Sequence, residues 1–435
     1  MTQRQGTFRN ASKLKTIPLA VAYVAIPLGM VLARFQNPSA EVSPFLPWLI
    51  LAGLGTVCAM LFRSSGVRVK KRFVFEVAMF ITLITILVLY GRDIFRQMEP
   101  AIPYISEALP LGMLLFCGLW IKTFGMPDRA DFQRYGALLG LLCIIDLAAE
   151  AVIYQSVPTV RWLGNADVLA GLLLVSLCAS LKPGDNEGGV YEPDQGHRLW
   201  RLLVMLGIAA CLSRTGLFAA AWVYLCFGRG PKKVRIAGST VCLSLIGATF
   251  FLPVTSSDSI RYVDYWLWVE TIRLFAENPM LLLTGLPVSQ ALPVAFPVGM
   301  APVWEAATGS PAMMGAYLPL IPSFWLRLSL AWGIIAPLML LTVLFVLLFR
   351  RLTRMGAGLT AALFAQGMNT PLLYDPAMAA AIGLGFFLVL ARPLNAPNVR
   401  TKKADVIKEA DPTPDPVPDP EPDPDPSKEW DMQPL

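Results

Sequence analysis

The feature that most constrains this chain is a succession of apolar runs separated by short basic segments. Each run approaches the ~20 residues that a helix needs to cross a hydrocarbon core. The runs fall at 17–35, 44–62, 73–91, 108–124, 135–154, 162–181, 199–212, 216–228, 236–253, 323–348, 356–373 and 375–391. The pair around Ser213 is short, and Arg214 interrupts it. Of the 435 residues, 55% are hydrophobic and 15% are charged, and a soluble domain of this size needs more charge to cover its surface. The expected fold is all-α: a polytopic membrane protein of about twelve transmembrane helices. The first run follows a charged stretch as a signal peptide does, but it is long and lacks a small-residue cleavage site, so it is read as the first span.

Lysine and arginine concentrate on the cytoplasmic side of membrane proteins. With the N-terminus inside, the inner segments hold 28 of the 36 lysines and arginines. Both termini are therefore expected in the cytoplasm. The remaining eight are all arginine: Arg34, Arg92, Arg96, Arg161, Arg214, Arg261, Arg273 and Arg327. Guanidinium binds phosphate and carboxylate through paired hydrogen bonds, and it also snorkels at interfaces. Both readings stay open.

Residues 1–395 form the membrane domain, into which one large outer (periplasmic) loop, 254–322, is inserted before the tenth span. Its first part, 259–277, reads as a helix capped by Asp258 and stopped by Asn278–Pro279. Helical spacing puts Arg261, Tyr265, Trp268, Ile272 and Phe275 on one face, and Glu270, Arg273 and Glu277 on a mutually paired face. The rest, 279–322, is apolar and rich in Pro and Gly, and such a segment usually covers a cavity or a substrate. Phe296, Trp304 and Tyr317 are placed either to stack on sugars or to anchor at the interface. Residues 396–435 form a cytoplasmic tail whose run DPTPDPVPDPEPDPDP (411–426) is expected to be disordered.

Charges inside spans are costly and mark function by default. Asp146 and Glu150, one turn apart in the fifth span, fit a proton relay or structural partnership with Arg161 or Arg214. Glu76 can pair with the basic segment 68–72. All seven cysteines lie in spans, which implies no disulfide framework, and the single histidine, His197, rules out a histidine-based metal site. Nothing points to nucleic acid; membrane lipids are the expected surroundings. Arg161, Arg214 and Arg261 all sit at outer mouths, and convergence of those mouths would make a cationic pocket suited to a diphosphate.

The motifs run in a fixed order: GNAD (164–167), SRTG (213–216), Arg261-x4-Trp266 followed by Asn278–Pro279 and Gly285, and SFWLRLSLAWGI (323–334). This order and the topology resemble the O-antigen ligase and polymerase superfamily of bacterial inner-membrane glycosyltransferases, over about residues 160–390. The resemblance implies inverting, metal-independent transfer, without cofactor, of glycan from an undecaprenyl-diphosphate donor to a glycan or lipid acceptor. Arg214 and Arg261 occupy the positions that hold the diphosphate, with Arg161 a looser match, and Asn165 and Asp167 match a polar turn that shapes the donor site. Ligases of the family carry a histidine just before the tenth span, where this chain reads Leu320-Ile321-Pro322-Ser323. Glu305 is the carboxylate available as a substitute base, and the missing histidine favours polymerase over ligase. Arg327, one turn from Ser323, is placed for phosphate contact or for snorkelling. The rival readings are a flippase for lipid-linked glycan, a small-solute transporter acting through Asp146 and Glu150, and a structural subunit with a dead site. No internal repeat of the transporter kind is visible.

Overall fold

The computed structural model describes residues 14–36, 46–64, 102–153, 160–181, 197–228, 231–251, 257–288, 290–297, 299–308, 311–350 and 353–390. The chain divides into two compact units, Met1–Glu187 with Glu192–Arg392, and Gly188–Tyr191 with Pro393–Leu435. The second unit, the expected span at 73–91 and Glu76 all lie outside the described residues. Those described are helix and connecting turns, with no strand among them.

We number the helices α1 (Ile17–Gln36, with a π-helical turn at Val21–Ala25), α2 (Leu46–Ser64), α3 (Ile102–Phe124), α4 (Arg129–Ile153), α5 (Ala166–Ala179), α6 (His197–Cys211), α7 (Arg214–Phe227) and α8 (Lys232–Thr249). They continue as α9 (Ser257–Glu277), α10 (Leu281–Thr284), α11 (Met300–Thr308), α12 (Phe324–Trp332), α13 (Ile335–Arg350), α14 (Arg354–Gly367) and α15 (Pro376–Leu390). Three stretches, Ile17–Gln36, Ser106–Phe124 and Arg129–Val152, are long and apolar enough to cross a membrane, and α5, α7, α15 and parts of α2 and α13 are shorter apolar helices.

A helix apolar all round belongs in the middle of a bundle. In α5 every residue from Leu169 to Ala179 is buried, and α15 is buried from Pro376 to Gly385. Close approach around this centre depends on glycine. A side chain at Gly140 of α4 would meet the Leu203 carbonyl oxygen of α6 at 2.3 Å, and one at Gly207 would meet the Gly140 Cα at 2.5 Å. Without side chains at the crossing the two backbones touch, as small residues allow in membrane bundles. Buried Tyr23 of α1 donates to the Leu172 carbonyl at 2.8 Å, tying α1 to the same centre.

The expected tenth span is not continuous. It breaks into α12 and α13 at Gly333, whose φ of +74° suits glycine. The cause is tertiary: the Ile334 amide donates to the Leu282 carbonyl at 2.6 Å, and the Leu286 amide donates to the Leu330 carbonyl at 2.7 Å. Helix α10 and the turn after it are thereby stitched across the break.

The described part of 257–322 folds as a cap with a second core, shared with α12: Val263, Trp266 and Leu267 of α9 pack with Met300 and Trp304 of α11, with Leu318 and Ile321, and with Leu330 of α12. It is less irregular than its Pro and Gly content suggests, since it contains α10, α11 and short 3-10 turns at Ala312–Met314 and Leu318–Leu320. The buried face of α9 is Val263, Trp266, Leu267, Thr271 and Leu274, whereas Tyr265 and Ile272 are exposed. The face expected from sequence is therefore rotated. Phe296 and Trp304 are not available as sugar platforms either, because they pack on Trp266 with centroids 5.1 and 6.1 Å away. The expected ion-paired face is present: Arg273 reaches Glu277 at 2.7 Å and Glu270 at 3.8 Å.

Candidate functional site

Two of the motifs are helix starts. Asn165 caps α5, its side-chain oxygen accepting from the Asp167 amide at 2.8 Å, and Ser213 caps α7, its hydroxyl accepting from the Gly216 amide at 3.0 Å. Capping satisfies backbone donors that an N-terminus leaves unpaired. The caps also bring the two motifs together. Ser213 Oγ donates to the Asp167 carboxylate, Thr215 Oγ1 lies 3.5 Å from the same oxygen, and Gln366 of α14 donates to the Asp167 carbonyl at 2.7 Å. The turn into α7 passes through Leu212 at φ +49°, a left-handed conformation that a leucine adopts at a cost of ~1–3 kcal/mol and that concentrates at functional sites.

Arg214, the first residue of α7, turns to the C-terminus of α8. Its Nε donates to Thr249 Oγ1 at 2.9 Å, its Nη2 lies 3.4 Å from the Thr249 carbonyl, and its guanidinium sits 4.0 Å above the Phe250 ring. A cation there complements the negative end of α8. Asp264 of α9 lies within electrostatic reach of Asp167, and burial together with that neighbour raises its carboxyl from 3.8 to about 7. Arg261 is one helical turn before Asp264 on α9; its side chain lies outside the described residues. The starts of α5 and α7 thus meet through Asp167, Ser213 and Thr215, with Asp264 of α9 in electrostatic reach and Arg214 turned to the end of α8.

The remaining expected site residues are elsewhere. Arg161 is exposed, and its carbonyl accepts from the Arg34 guanidinium. Asp146 accepts from the Trp162 and Leu163 amides, each at 3.1 Å, so it braces the turn after Arg161 and does not pair with the Arg161 guanidinium. Glu150 is buried, and its Oε1 has no hydrogen-bond partner among the described residues. Glu305 is exposed on α11, not in the apolar setting expected for a base with a raised pKa; its carboxylate accepts from the Ala312 amide at 3.3 Å.

Arg327 departs from both of its expected roles. It is 4% exposed, too deep to snorkel. Its Nη2 lies 2.5 Å and its Nε 2.7 Å from Oε1 of Glu107 on α3. Nη1 donates to the Pro319 carbonyl at 3.2 Å, and the guanidinium lies 3.7 Å over the Tyr374 ring. This buried ion pair joins α3, α12 and the turn before α15. Sequence reasoning missed Glu107 because the fourth span was started one residue later, while α3 starts at Ile102.

Comparison with family models, with curated proteins and with solved structures found no match to this chain.

Proposed function

We propose that the protein is a glycosyltransferase of surface-polysaccharide assembly in the bacterial inner membrane, with twelve spans, both termini cytoplasmic and the cap on the periplasmic side. It transfers glycan from an undecaprenyl-diphosphate donor, and polymerase is favoured over ligase. The observation that carries this reading is the bond between GNAD and SRTG through Asp167 and Ser213, with Asp264 of the Arg261 helix in electrostatic reach of Asp167. These motifs stand far apart in sequence, and a shared donor site gives them a common reason to meet.

In this reading Arg214 and Arg261 hold the diphosphate and stabilise the charge that grows on it as the sugar leaves. An acceptor hydroxyl attacks the anomeric carbon, the bond from that carbon to the phosphate oxygen breaks, and the hydroxyl proton passes to a base. Asp264 is better placed for that proton than Glu305, because it lies at the motif junction and its carboxyl titrates near neutrality. Arg214 leaves Thr249 and Phe250 when the donor arrives, or else holds the end of α8 in place while Arg261 alone binds. A transport reading keeps one specific observation, the unpartnered Oε1 of Glu150.

The test is a deletion strain complemented with wild type, Arg214→Ala or Arg261→Ala, with surface polysaccharide and lipid-linked glycan analysed together. A polymerase leaves single carrier-linked units when inactive, and a ligase leaves long carrier-linked chains. Loss of either arginine is expected to lower turnover by ~100-fold or more at normal expression. Unchanged glycans in the deletion strain would sink the proposal.

A further inference from the structure

Helix α9 is apolar on two opposite sides. One stripe (Val263, Trp266, Leu267, Thr271, Leu274) is buried in the cap core. The other, Tyr262, Tyr265, Val269 and Ile272, is spaced i, i+3, i+7, i+10 and is exposed along its length. Polar groups occupy both flanks: Glu270, Arg273 and Glu277 lie on one side, where Arg273 pairs with both glutamates, and Asp264, in electrostatic reach of Asp167, lies on the other. A helix of this form has two apolar partners. The cap core is the first.

Both ends of α9 lead to exposed apolar surface on neighbouring helices. Before it, α8 ends at Phe250 and Phe251, which are 66% and 90% exposed. Only residues 252–256 lie between Phe251 and Ser257, a reach of at most ~22 Å. After it come exposed Met280 and Leu283. The Leu283 carbonyl lies against Gly333, 2.5 Å from where a side chain there would begin. That contact places α10 at the break between Trp332, exposed at the end of α12, and Ile335, Leu338 and Met339, exposed at the start of the apolar helix α13. Exposed apolar residues therefore flank the stripe in the chain on both sides, at the end of α8 and along α10, which touches the break between α12 and α13. The stripe's tyrosines are of the kind that favour the headgroup level of a bilayer.

We infer that α9 and α10 form an amphipathic strap that lies in the outer interface of the bilayer, with Tyr262, Tyr265, Val269 and Ile272 seated at the boundary between headgroups and acyl chains. Its partner is the lipid surface. The strap holds the cap core above the membrane and presents the Asp264 flank to the ends of α5 and α7. It rests on the membrane topology and not on the transferase chemistry.

The test uses the full chain in lipid nanodiscs, with native cysteines replaced and a spin label placed in turn at 262, 265, 269, 272, 273 and 277. Collision with oxygen, which partitions into lipid, is compared with collision with a water-soluble nickel chelate. The four stripe positions are expected to be several-fold more accessible to oxygen than to nickel, with 273 and 277 reversed. Equal nickel access at stripe and flank would overturn the strap. Shielding from both reagents, with spin–spin broadening in discs that hold two copies, would overturn it too by showing a second copy on the stripe. Tyr265→Phe and Ile272→Leu, which keep the apolar character, provide folded controls whose nickel access at 269 should stay low. None of these readouts depends on glycan transfer, so a failed activity assay leaves the result standing.

Discussion

Breaking a buried ion pair by removing one partner leaves a bare charge in low dielectric, at a cost of ~3–5 kcal/mol. With Glu107 and Arg327 side chains only 1% and 5% exposed, Arg327→Ala and Glu107→Ala are each expected to lower thermal stability in detergent steeply, while the double variant Glu107→Leu with Arg327→Met recovers much of the loss. A phosphate-binding Arg327 would behave differently: stability would hold and only transfer would fall. Asp264 makes an opposite kind of prediction. Its folded carboxyl titrates near 7 against an ordinary 3.8, so between about pH 4 and pH 7 the folded chain holds a proton that the unfolded chain has lost. Stability should fall as pH rises through that window and level off above it. Asp264→Asn should flatten the pH profile of the melting temperature and, where Asp264 takes the acceptor proton, remove the ascending limb of transfer near pH 7. GNAD and SRTG stood out in sequence as motifs, but the capping by Asn165 and Ser213 is seen only in the structure. The partner of Arg327 was not legible in sequence, because a pair 220 residues apart leaves no local pattern.

At the scale of elements, apolar periodicity located most helices to within a few residues, since burial in a bundle and passage through lipid both demand it. It could not show where a helix is interrupted from outside. In the run 323–348 nothing local distinguishes Gly333 from a glycine inside a helix; the break is imposed by Leu282 and Leu283 of another element. Gly333→Ala must place a methyl 2.5 Å from the Leu283 oxygen and hold alanine at positive φ. A loss on the order of 2–4 kcal/mol is expected, read as a lower melting temperature. Gly140→Ala, at the crossing of α4 and α6, should be comparably damaging. Gly53 in α2 is the control: nothing lies within 4 Å of its missing side chain, so Gly53→Ala should be neutral or should stabilise by up to ~1 kcal/mol through helix propensity alone.

At the scale of the whole molecule, the two helices that meet at Leu212 decide how deep the junction of motifs lies. Helices α6 and α7 have 15 and 14 residues, which at 1.5 Å per residue gives each a length of about 22 Å. A hydrocarbon core is about 30 Å thick. In the proposed topology, either the bilayer thins there, or the turn at Ser213 lies below the outer surface and the pair enters and leaves from the same side. Both arrangements keep the termini together, so fusions that report terminal location cannot separate them. Accessibility at the turn can. A donor site needs water at Thr215 in either case, because a diphosphate is not bound dry. Thr215→Cys, in the cysteine-replaced chain within intact spheroplasts, should therefore react with a membrane-impermeant maleimide added from outside. Leu206→Cys, exposed on α6 but within its apolar length, should not. Reaction at 215 that is slowed by added lipid diphosphate would place the junction in an outward-open, anion-binding cavity. Complete protection of 215 in the folded chain would put the SRTG turn inside the packed bundle, and Arg214 would then serve only to hold the end of α8.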